Sequence, residues 1–441
     1  MLDTLPIEII HLIAERVPQQ NDIGSLVCSC RLFYQVLLPQ LYREIHLTKN
    51  WSTKRLASLT QALLRNPHLA SYVHGFYADK AWHSFRHHKT KDPPEVDFKY
   101  DVGLIYNAIR SVNPDRTGVD GWERWEYLVR TGDKDIWVAL FFPLLRNLRK
   151  LRIEDIYYFG YLQWTIERIA ARAKPFDRDQ HFRLPYLSQA SISGLTLSAS
   201  RFIRTLLQFP AMQRLQGAFI HDDKACDDKA WPRRLPFRRH ISSITELEFT
   251  DSYSRDGMLD IIQSCRALRS FKFEQNLGHD IHVQRFGQTL AGTAETLETL
   301  WIDRKGNPLP LDDIQAHAAI GTFADFKVLR CLHVRVADLL GIGPRTQHPQ
   351  RSLVELLPRS LEVLELTACM PLWFPSVIHE LRTLVLMRKE ICPAVRKINL
   401  AVEFWWMSEA DTVVHAFMAL CRESRVLFSL IHIGGVAGSE N

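Results

Sequence analysis

Residues 5–47 read LPIEIIHLIAERVPQQNDIGSLVCSCRLFYQVLLPQLYREIHL. The apolar residues of 5–17 recur at the spacing of an α-helix, and Pro18 is expected to end that helix. Asp22 is expected to cap a second helix, and residues 33–41 predict a third. Because a unit this short rarely buries enough apolar surface to be stable alone, its apolar faces must contact the rest of the chain or another protein.

The order and spacing of these residues resemble those of an F-box, and the end of the stretch is similar to that of the fungal members. Ser29 and Phe33 stand where the family often has Val and Trp. The residues that carry the resemblance are Leu5, Pro6, Glu8, Ile9, Ile10, Ile13, Asp22, Ile23, Leu26, Cys30, Arg31, Phe33, Leu38, Pro39, Leu41, Tyr42, Arg43 and Ile45. A helical cap on a repeat domain is the alternative interpretation.

The resemblance implies a partner for these helices. In F-box proteins the F-box docks on the small Skp adaptor of an SCF-type ubiquitin ligase, which connects it to a cullin, while a C-terminal repeat domain captures a protein substrate. The chain is therefore expected to be a non-catalytic substrate receptor. An F-box or repeat scaffold that acts outside a ubiquitin ligase is the second possibility. The residues expected to bind the adaptor are Leu5, Pro6, Ile9, Ile10, Ile13, Leu26 and Phe33.

A hydrophobic template, apolar-x-x-apolar-x-apolar, recurs beyond residue 47. From Ile244 onward its copies start 24, 29, 32, 32 and 34 residues apart, near the length of repeats that contain one strand and one helix. Clear copies are 148–153, 244–249, 268–273, 297–302, 329–334, 361–366 and 395–400, and weaker ones are 42–47, 73–78, 187–192 and 212–215. A last strand is expected within Val426 to Ile433.

These copies resemble leucine-rich repeats, although the Asn or Cys that follows the strand in regular members is mostly missing. The predicted fold class is α/β, with a three-helix F-box at 1–47 and, at 48–441, an irregular leucine-rich-repeat solenoid with a curved parallel sheet. A generic α/β domain with a parallel sheet is the alternative. Helices are expected at 56–64, 202–207, 258–265, 286–290 and 410–421.

One segment fits both a strand and a helix. Leu381, Leu384 and Leu386 match the strand template, but a strand there would leave only 14 residues before Val395. A helix over about 377–390 restores the 34-residue spacing of the repeats, so the helix is predicted.

Composition restricts the class of protein. The chain has 441 residues, a net charge of +6, 46% apolar and 24% charged residues, which are values of a soluble globular protein. Its longest apolar runs are too short to cross a bilayer, and no signal peptide pattern is present, so an intracellular location is expected. The modest charge makes nucleic acid an improbable partner, although basic loops leave a nucleic-acid-binding solenoid as a third possibility.

The sequence shows no pattern typical of an enzyme or a metal site. It lacks G-x-S-x-G, H-E-x-x-H, a Walker loop and G-x-G-x-x-G, so no catalytic residues are predicted. The eight cysteines are scattered, with no second Cys or His pair at zinc spacing, and are expected to be buried thiols without a metal or other cofactor.

Alternation along the strands predicts the substrate-binding surface. Residues between the three apolar positions of each copy should project away from the core. The predicted substrate-binding residues are Lys150, Arg152, Trp301, His333, Arg335 and Asn399. Trp301, His333 and Arg335, on adjacent strands, are expected to form its centre, unless Trp301 lies flat against a neighbouring strand. The insertions at 80–101, 113–135, 222–240 and 341–352 are the alternative location of this surface.

Overall fold

The chain divides into two compact units, Met1–Gln213 and Arg214–Asn441, in a computed structural model. The structure describes residues 5–17, 20–79, 95–115, 121–154, 160–178, 183–194, 197–222, 240–254, 257–275, 283–304, 319–343, 348–403 and 410–433. The predicted insertions 80–101 and 222–240 lie mainly outside these ranges, at 80–94 and 223–239, whereas 113–135 and 341–352 lie outside them only at 116–120 and 344–347.

The first unit contains helices and a small parallel sheet. Its strands pair in chain order and in parallel. The strands are β1 (Glu44–Leu47), β2 (Gly75–Ala78), β3 (Lys150–Ile153) and β4 (Gln189–Ser193). The helices are α1 (Ile7–Glu15), α2 (Gln20–Ser29), α3 (Arg31–Leu41), α4 (Thr53–Arg65), α5 (Pro67–Ser71), α6 (Val102–Val112), α7 (Trp122–Thr131), α8 (Lys134–Phe141), α9 (Gly160–Ala170) and α10 (Leu197–Leu206).

The second unit is a longer parallel sheet with a helix after most strands. Its strands pair in the order β5-β7-β8-β9-β10-β11-β12-β13, and β6 pairs with β7 beside this path. The strands are β5 (Arg214–Ala218), β6 (His221–Asp222), β7 (Glu246–Ser254), β8 (Ser270–Gln275), β9 (Thr299–Arg304), β10 (Cys331–Arg335), β11 (Val363–Cys369), β12 (Lys397–Glu403) and β13 (Leu427–Ile433). The helices are α11 (Gly257–Ser264), α12 (Val283–Leu290), α13 (Val336–Leu340), α14 (Leu353–Leu356), α15 (Phe374–Leu386), α16 (Arg388–Ile391) and α17 (Ala410–Glu423).

The predicted α/β class and parallel sheet are confirmed, because every strand predicted from the hydrophobic template is present at its expected position. The ambiguous segment is helical, since α15 covers Leu381, Leu384 and Leu386. The five predicted helices are present as α4, α10, α11, α12 and α17. Helices α6 to α9 were not predicted, and α7 lies inside the segment 113–135 that was interpreted as an insertion.

The three-helix unit forms as predicted, but its caps differ. Asp22 lies in the first turn of α2 and does not precede the helix. Cys30 separates α2 from α3, and its Sγ accepts a hydrogen bond from the amide of Phe33 at 3.4 Å, which is a cap on α3. Gln20 ties this unit to the sheet, because its Nε2 donates to the carbonyls of Leu41 and Glu44 at 2.8 and 2.9 Å.

The template residues form the core. In the copy on β9, Leu297, Leu300 and Ile302 are all buried, and the residues between them are partly exposed. Because side chains of a strand alternate between two faces, this pattern buries one face of the sheet beneath the helices of each repeat. None of the helices in the described ranges combines the length and apolar content needed to cross a membrane.

One backbone interaction repeats from strand to strand. A single carbonyl before a strand accepts hydrogen bonds from two successive amides of the next repeat; the Glu298 carbonyl, for example, accepts from Arg330 and Cys331. The carbonyls that do this are those of Arg43, His74, Arg149, Thr245, Arg269, Glu298, Arg330 and Glu362. Since both donors belong to the start of a strand, this contact sets where each strand begins.

Polar side chains connect successive repeats ahead of the strands. Thr296 Oγ1 donates to the Leu268 carbonyl at 2.9 Å, and Ser360 Oγ donates to the Leu329 carbonyl at the same distance. Both residues stand three positions before their strands. These hydrogen bonds link successive repeats before the strands, whereas the Asn or Cys of regular members follows the strand.

The cysteines only partly match the prediction of buried thiols. Cys265, Cys369, Cys392 and Cys421 are buried, whereas Cys28 is exposed. Burial raises the pKa of the Cys265 thiol to about 12, which keeps this sulfur protonated and unreactive at neutral pH.

Asp135 joins two helices of the first unit. Its side chain is fully enclosed on α8, and its two oxygens accept hydrogen bonds from the amides of Tyr161 and Leu162 at 2.6 and 3.1 Å. Those amides belong to the first turn of α9, where backbone N–H groups have no acceptor within the helix itself. Burial, and secondarily the charge of Asp133, raises the pKa of Asp135 well above its usual value.

We expect Asp135→Ala to destabilise the chain by about 1–3 kcal/mol, because two buried amides lose their acceptor. Asp135→Asn removes the buried charge but keeps only one acceptor oxygen, since its Nδ2 is a donor, so it should destabilise the chain less than Asp135→Ala does. The pKa of Asp135 is higher in the folded chain than in the unfolded chain, where it is about 3.9. The protonated acid therefore stabilises the fold fully below about pH 3.9, and this stabilisation is lost as the pH rises through the raised pKa. In urea unfolding, the unfolding free energy of Asp135→Asn relative to that of the native chain should thus increase from pH 5 to pH 7. A difference that does not change with pH would contradict this prediction.

Gly287 makes a close backbone contact in the second unit. A Cβ at this position of α12 would lie 1.5 Å from the carbonyl oxygen of Ile320. Gly24, in the interior of α2, has room, since its Cβ would meet only Leu41 Cδ1 at 3.9 Å.

The two glycines should therefore respond oppositely to alanine. Gly24→Ala should stabilise its helix by up to about 1 kcal/mol, because alanine has the higher helix propensity. Gly287→Ala should destabilise the chain by about 1–3 kcal/mol or more, because α12 must move off the Ile320 backbone. Chemical unfolding of both variants measures this, and equal effects of the two substitutions would show that the close approach is not rigid.

Candidate functional site

The first helix exposes large apolar side chains. Ile7, Ile9, Leu12 and Ile13 of α1 are exposed, with Leu12 at 58%, and Tyr34 of α3 is exposed as well. We call Ile9, Leu12 and Ile13 the α1 strip. Ile9, Leu12 and Ile13 lie three and four positions apart, so they share one face of the helix. Apolar side chains of this size in a cluster are typical of a surface that binds another protein.

Two of the predicted adaptor contacts lie in the core. Ile10 is 4% exposed and Phe33 is 7% exposed, and both pack with Ala14, Val27 and Leu37 between the three helices. Their placement on a binding surface is therefore wrong. They hold the helices together, because a buried side chain has no surface left for a partner.

The other predicted contacts remain accessible to different degrees. Pro6, Ile9 and Ile13 are exposed, whereas Leu5 and Leu26 are partly buried against the helical core. The prediction missed Ile7, Leu12 and Tyr34. The sequence of α1 did indicate exposed apolar residues. IEIIHLIAE is apolar around most of the helix circumference, and a single stripe facing the core cannot bury all of it.

The second unit aligns polar side chains in a row across the sheet. Strand pairing places one residue of each strand at the same level, and we call these residues the central row. The central row consists of Gln216, Glu248, Lys272, Trp301, His333, Glu365 and Asn399. All lie between the buried template positions, and all are partly exposed except Asn399, which is 8% exposed.

An ion pair organises one end of the central row. Glu248 accepts hydrogen bonds from Lys272 Nζ at 2.8 Å and from Gln216 Nε2 at 2.9 Å. The hydrogen bond from Lys272 is the main reason that the pKa of Glu248 is lowered, so this carboxylate stays charged at neutral pH. The same ammonium lies 5.0 Å from the centre of the Trp301 ring.

Trp301 lies flat against a neighbouring side chain. Its ring and that of His333 are stacked, with centroids 4.3 Å apart and planes at 22°. The indole therefore contacts Lys272 from one neighbouring strand and His333 from the other. The structure therefore supports the alternative interpretation, in which Trp301 lies flat against a neighbouring strand, although the residue remains partly exposed.

His333 connects two acidic residues. Its Nδ1 lies 3.0 Å from Glu365 Oε2 and its Nε2 lies 3.2 Å from Asp303 Oδ2. Carboxylate oxygens only accept hydrogen bonds, so both contacts are hydrogen bonds only when both ring nitrogens carry a proton. Asn399 Nδ2 also donates to Glu365, at 2.6 Å, which extends the row to β12.

Lys150 and Arg152 belong to the first unit. Both are exposed on β3, and Arg152 makes an ion pair with Glu154 at 2.5 Å. Arg152 shares a row with Tyr77 and His46, whose rings stack at 4.5 Å. The structure thus brings together Trp301, His333 and Asn399 of the predicted substrate-binding residues, and places the two basic ones on β3 of the first unit, at different levels of its sheet.

Arg335 does not lie on the exposed surface, so this part of the prediction is wrong. Its residue is 4% exposed at the end of β10, where the chain turns directly into α13. The alternation that predicted its exposure fails at this last residue of the strand.

Acidic side chains predominate around the central row. On this face of β7 to β12, acidic residues outnumber the partly exposed lysines. The acidic ones are Glu246, Glu248, Glu274, Asp303 and Glu365, and the lysines are Lys272 and Lys397. Among the residues that the structure describes, no group of three His, Cys, Asp or Glu side chains could hold a metal ion.

Comparisons with known protein families match two parts of the chain. Residues 2–76 match a family model described as COS11 F-box domain. Residues 205–434, more than half of the chain, match a model described as leucine-rich repeat domain. No curated protein matches the chain. The chain therefore belongs to the leucine-rich repeat family and carries an F-box at its N-terminus.

Proposed function

We propose that this protein is the substrate receptor of an SCF-type ubiquitin ligase. The α1 strip carries the proposal, because it places an exposed apolar cluster on the segment that matches an F-box. F-box domains dock on the Skp adaptor, and an apolar surface of this kind gains free energy when the adaptor removes it from water.

The two parts of the chain have different roles in this proposal. Residues 1–47 bind the adaptor and, through it, the cullin, whereas residues 48–441 capture a protein substrate. The receptor need not be a catalyst, because holding the substrate beside a ubiquitin-charged enzyme turns a bimolecular transfer into a nearly intramolecular one.

The central row is the proposed centre of the substrate surface. Trp301 presents the remaining exposed part of its ring between Lys272 and His333, and carboxylates dominate the strands around it. A segment of substrate that carries Lys or Arg fits such a surface, since opposite charges steer encounter and fix register. Asn399 supports this surface through Glu365, and Lys150 and Arg152 remain a second candidate surface in the first unit.

A receptor that acts outside a ligase is the second candidate. It would use the same α1 strip and would bind the adaptor without a cullin. Affinity purification of the full chain followed by mass spectrometry separates the two: adaptor and cullin together support the ligase, and adaptor without cullin supports the second function.

We expect Leu12→Ala with Ile13→Ala to abolish adaptor binding and to leave thermal stability nearly unchanged, because both side chains are exposed. Each truncated anchor typically costs about 1–4 kcal/mol of binding, which is a loss of tenfold or more. Leu5→Ala with Pro6→Ala should weaken binding in the same direction. The measurement is retention of the adaptor in a pull-down.

Ile10→Ala is the matched control for the α1 strip. Ile10 belongs to the same helix but lies in the core, so its truncation should lower the melting temperature of the chain. Full adaptor retention by the Leu12→Ala and Ile13→Ala double variant would exclude the α1 strip as the docking surface.

Trp301→Ala with His333→Ala should remove bound substrates and keep the adaptor. We expect the affinity for a substrate to fall at least tenfold, because aromatic residues at the centre of an interface are common hot spots. Arg269→Ala, which changes an exposed residue outside the central row, is the control. Comparison of the co-purified proteins at low and high salt measures the effect. An unchanged set with an intact fold would locate the substrate surface elsewhere, on Lys150 and Arg152 or on the insertions.

A further inference from the structure

The residues directly before the first three strands of the first unit are basic. Arg43 precedes β1, His74 precedes β2 and Arg149 precedes β3. The Arg43 carbonyl accepts a hydrogen bond from the amide of His74 at 2.8 Å, and the His74 carbonyl accepts one from the amide of Arg149 at 2.8 Å. The three residues are therefore direct neighbours across three strands, and we call them the basic row.

The side chains of the basic row act on one another. Arg43 and Arg149 are exposed, and His74 between them is partly buried. Burial, followed by the positive charges of Arg149 and Arg43, lowers the pKa of His74 below its ordinary value of 6.5, whereas a hydrogen bond with the backbone of Tyr72 opposes this shift. His74 is therefore neutral at pH 7, while the two arginines on either side of it stay charged.

In the second unit, charges at the same repeat position balance one another. The residues directly before β8 to β12 alternate in sign and are Arg269, Glu298, Arg330, Glu362 and Arg396. A guanidinium nitrogen lies 3.9 Å from a carboxylate oxygen in the pair Arg269–Glu298, 3.7 Å in Arg330–Glu362 and 3.1 Å in Arg396–Glu362. Each of these arginines thus has a carboxylate in an adjacent repeat.

The basic row has no such alternation. At this level of β1 to β4, the four described residues are the basic row and Ser188, whose amide donates to the Arg149 carbonyl at 3.0 Å. Like charges on neighbouring strands repel each other, which costs free energy. Negative charges of a partner would remove this repulsion, and complementary charge also steers the encounter and fixes the register of a complex.

We propose that the basic row binds a short acidic segment of a partner protein. Arginine forms paired hydrogen bonds with a carboxylate, which favours Asp and Glu side chains as the ligands. Neighbouring strands are about 4.8 Å apart, so Arg43 and Arg149 start roughly 10 Å from each other. Acidic residues two positions apart in an extended segment are separated by about 7 Å, a distance that flexible arginine side chains can match. His74 lies between the two carboxylates as a third donor.

Nucleic acid fits the basic row less well than an acidic segment does. Binding to a nucleic acid backbone commonly neutralises several phosphates, and the basic row offers only two permanent charges. On the next level of the sheet, the Glu44 carboxylate lies 3.1 Å from His46 Nε2 and 3.3 Å from the Tyr77 hydroxyl, and it would repel a continuous line of phosphates. The proposal depends neither on the α1 strip nor on a ubiquitin ligase.

The experiment measures binding of a fluorescent oligoaspartate peptide to the full chain by fluorescence anisotropy, at low and high salt. A single-stranded oligonucleotide of similar net charge is the second probe. The variant Arg43→Gln with Arg149→Gln removes two exposed charges from the basic row. The matched control is Arg330→Gln with Arg396→Gln, which removes two exposed charges at the same repeat position of the second unit.

We expect the basic-row variant to bind the peptide about tenfold more weakly than the native chain, because two exposed charge contacts are lost. The control variant should bind like the native chain. The melting temperature of the basic-row variant should not fall, since a repulsion between like charges is removed.

His74 gives a second, independent readout. Bound carboxylates favour its protonated form, so the affinity of the native chain for the peptide should rise as the pH falls from about 7.5 to about 5.5, where aspartate stays ionised. His74→Gln should lose this rise and keep the affinity that the native chain has at the higher pH.

Three results would overturn the proposal: no binding of the peptide to the native chain, equal binding by the basic-row variant and its control, or tighter binding of the oligonucleotide than of the peptide. Leu12→Ala with Ile13→Ala should bind the peptide like the native chain. Failure of this proposal is therefore distinguishable from failure of adaptor docking, which a separate pull-down measures.

Discussion

The in-register pairing of parallel strands is the constraint on which the second unit depends. One repeat cannot bury its own apolar face, so each strand must stack on the previous one at a fixed level. The carbonyl that accepts two amides from the next repeat sets this level, as the Glu298 carbonyl does for β10. A slip of one residue would exchange the buried and exposed faces, and the core residues of the template would then meet water.

This register produces the central row as a consequence. Residues far apart in the chain become neighbours, so that Glu248, Lys272 and Trp301 contact one another across three strands. The two ring nitrogens of His333 then lie 3.0 and 3.2 Å from carboxylate oxygens on its two neighbouring strands. Polar contacts of this kind fix side chains in place before any partner arrives, which lowers the entropic cost of binding.

The F-box helices depend on a different constraint, which is the small apolar area that three short helices can bury. Three short helices can enclose only a small core, and Ile10, Phe33 and Leu37 occupy it. This core has no room for the remaining apolar side chains of α1, and Leu12 and Ile13 are exposed to solvent. The same feature that limits the stability of the unit provides the proposed docking surface, since apolar area that folding leaves exposed is available for association.

The sequence alone determined the repeats, the parallel strands and the F-box, because each depends on a local period of apolar residues that burial must satisfy. It also determined which strand positions alternate with the buried ones, and Trp301, His333 and Asn399 occupy such positions in the central row. Only the tertiary structure decided which of the predicted contact residues are exposed and which are buried or stacked on a neighbour. Ile10 and Phe33 lie in the core, and Trp301 stacks on His333. Arg335 is buried at the end of its strand, where α13 begins. Exposure depends on contacts between residues distant in sequence, and a local pattern carries no information about those contacts.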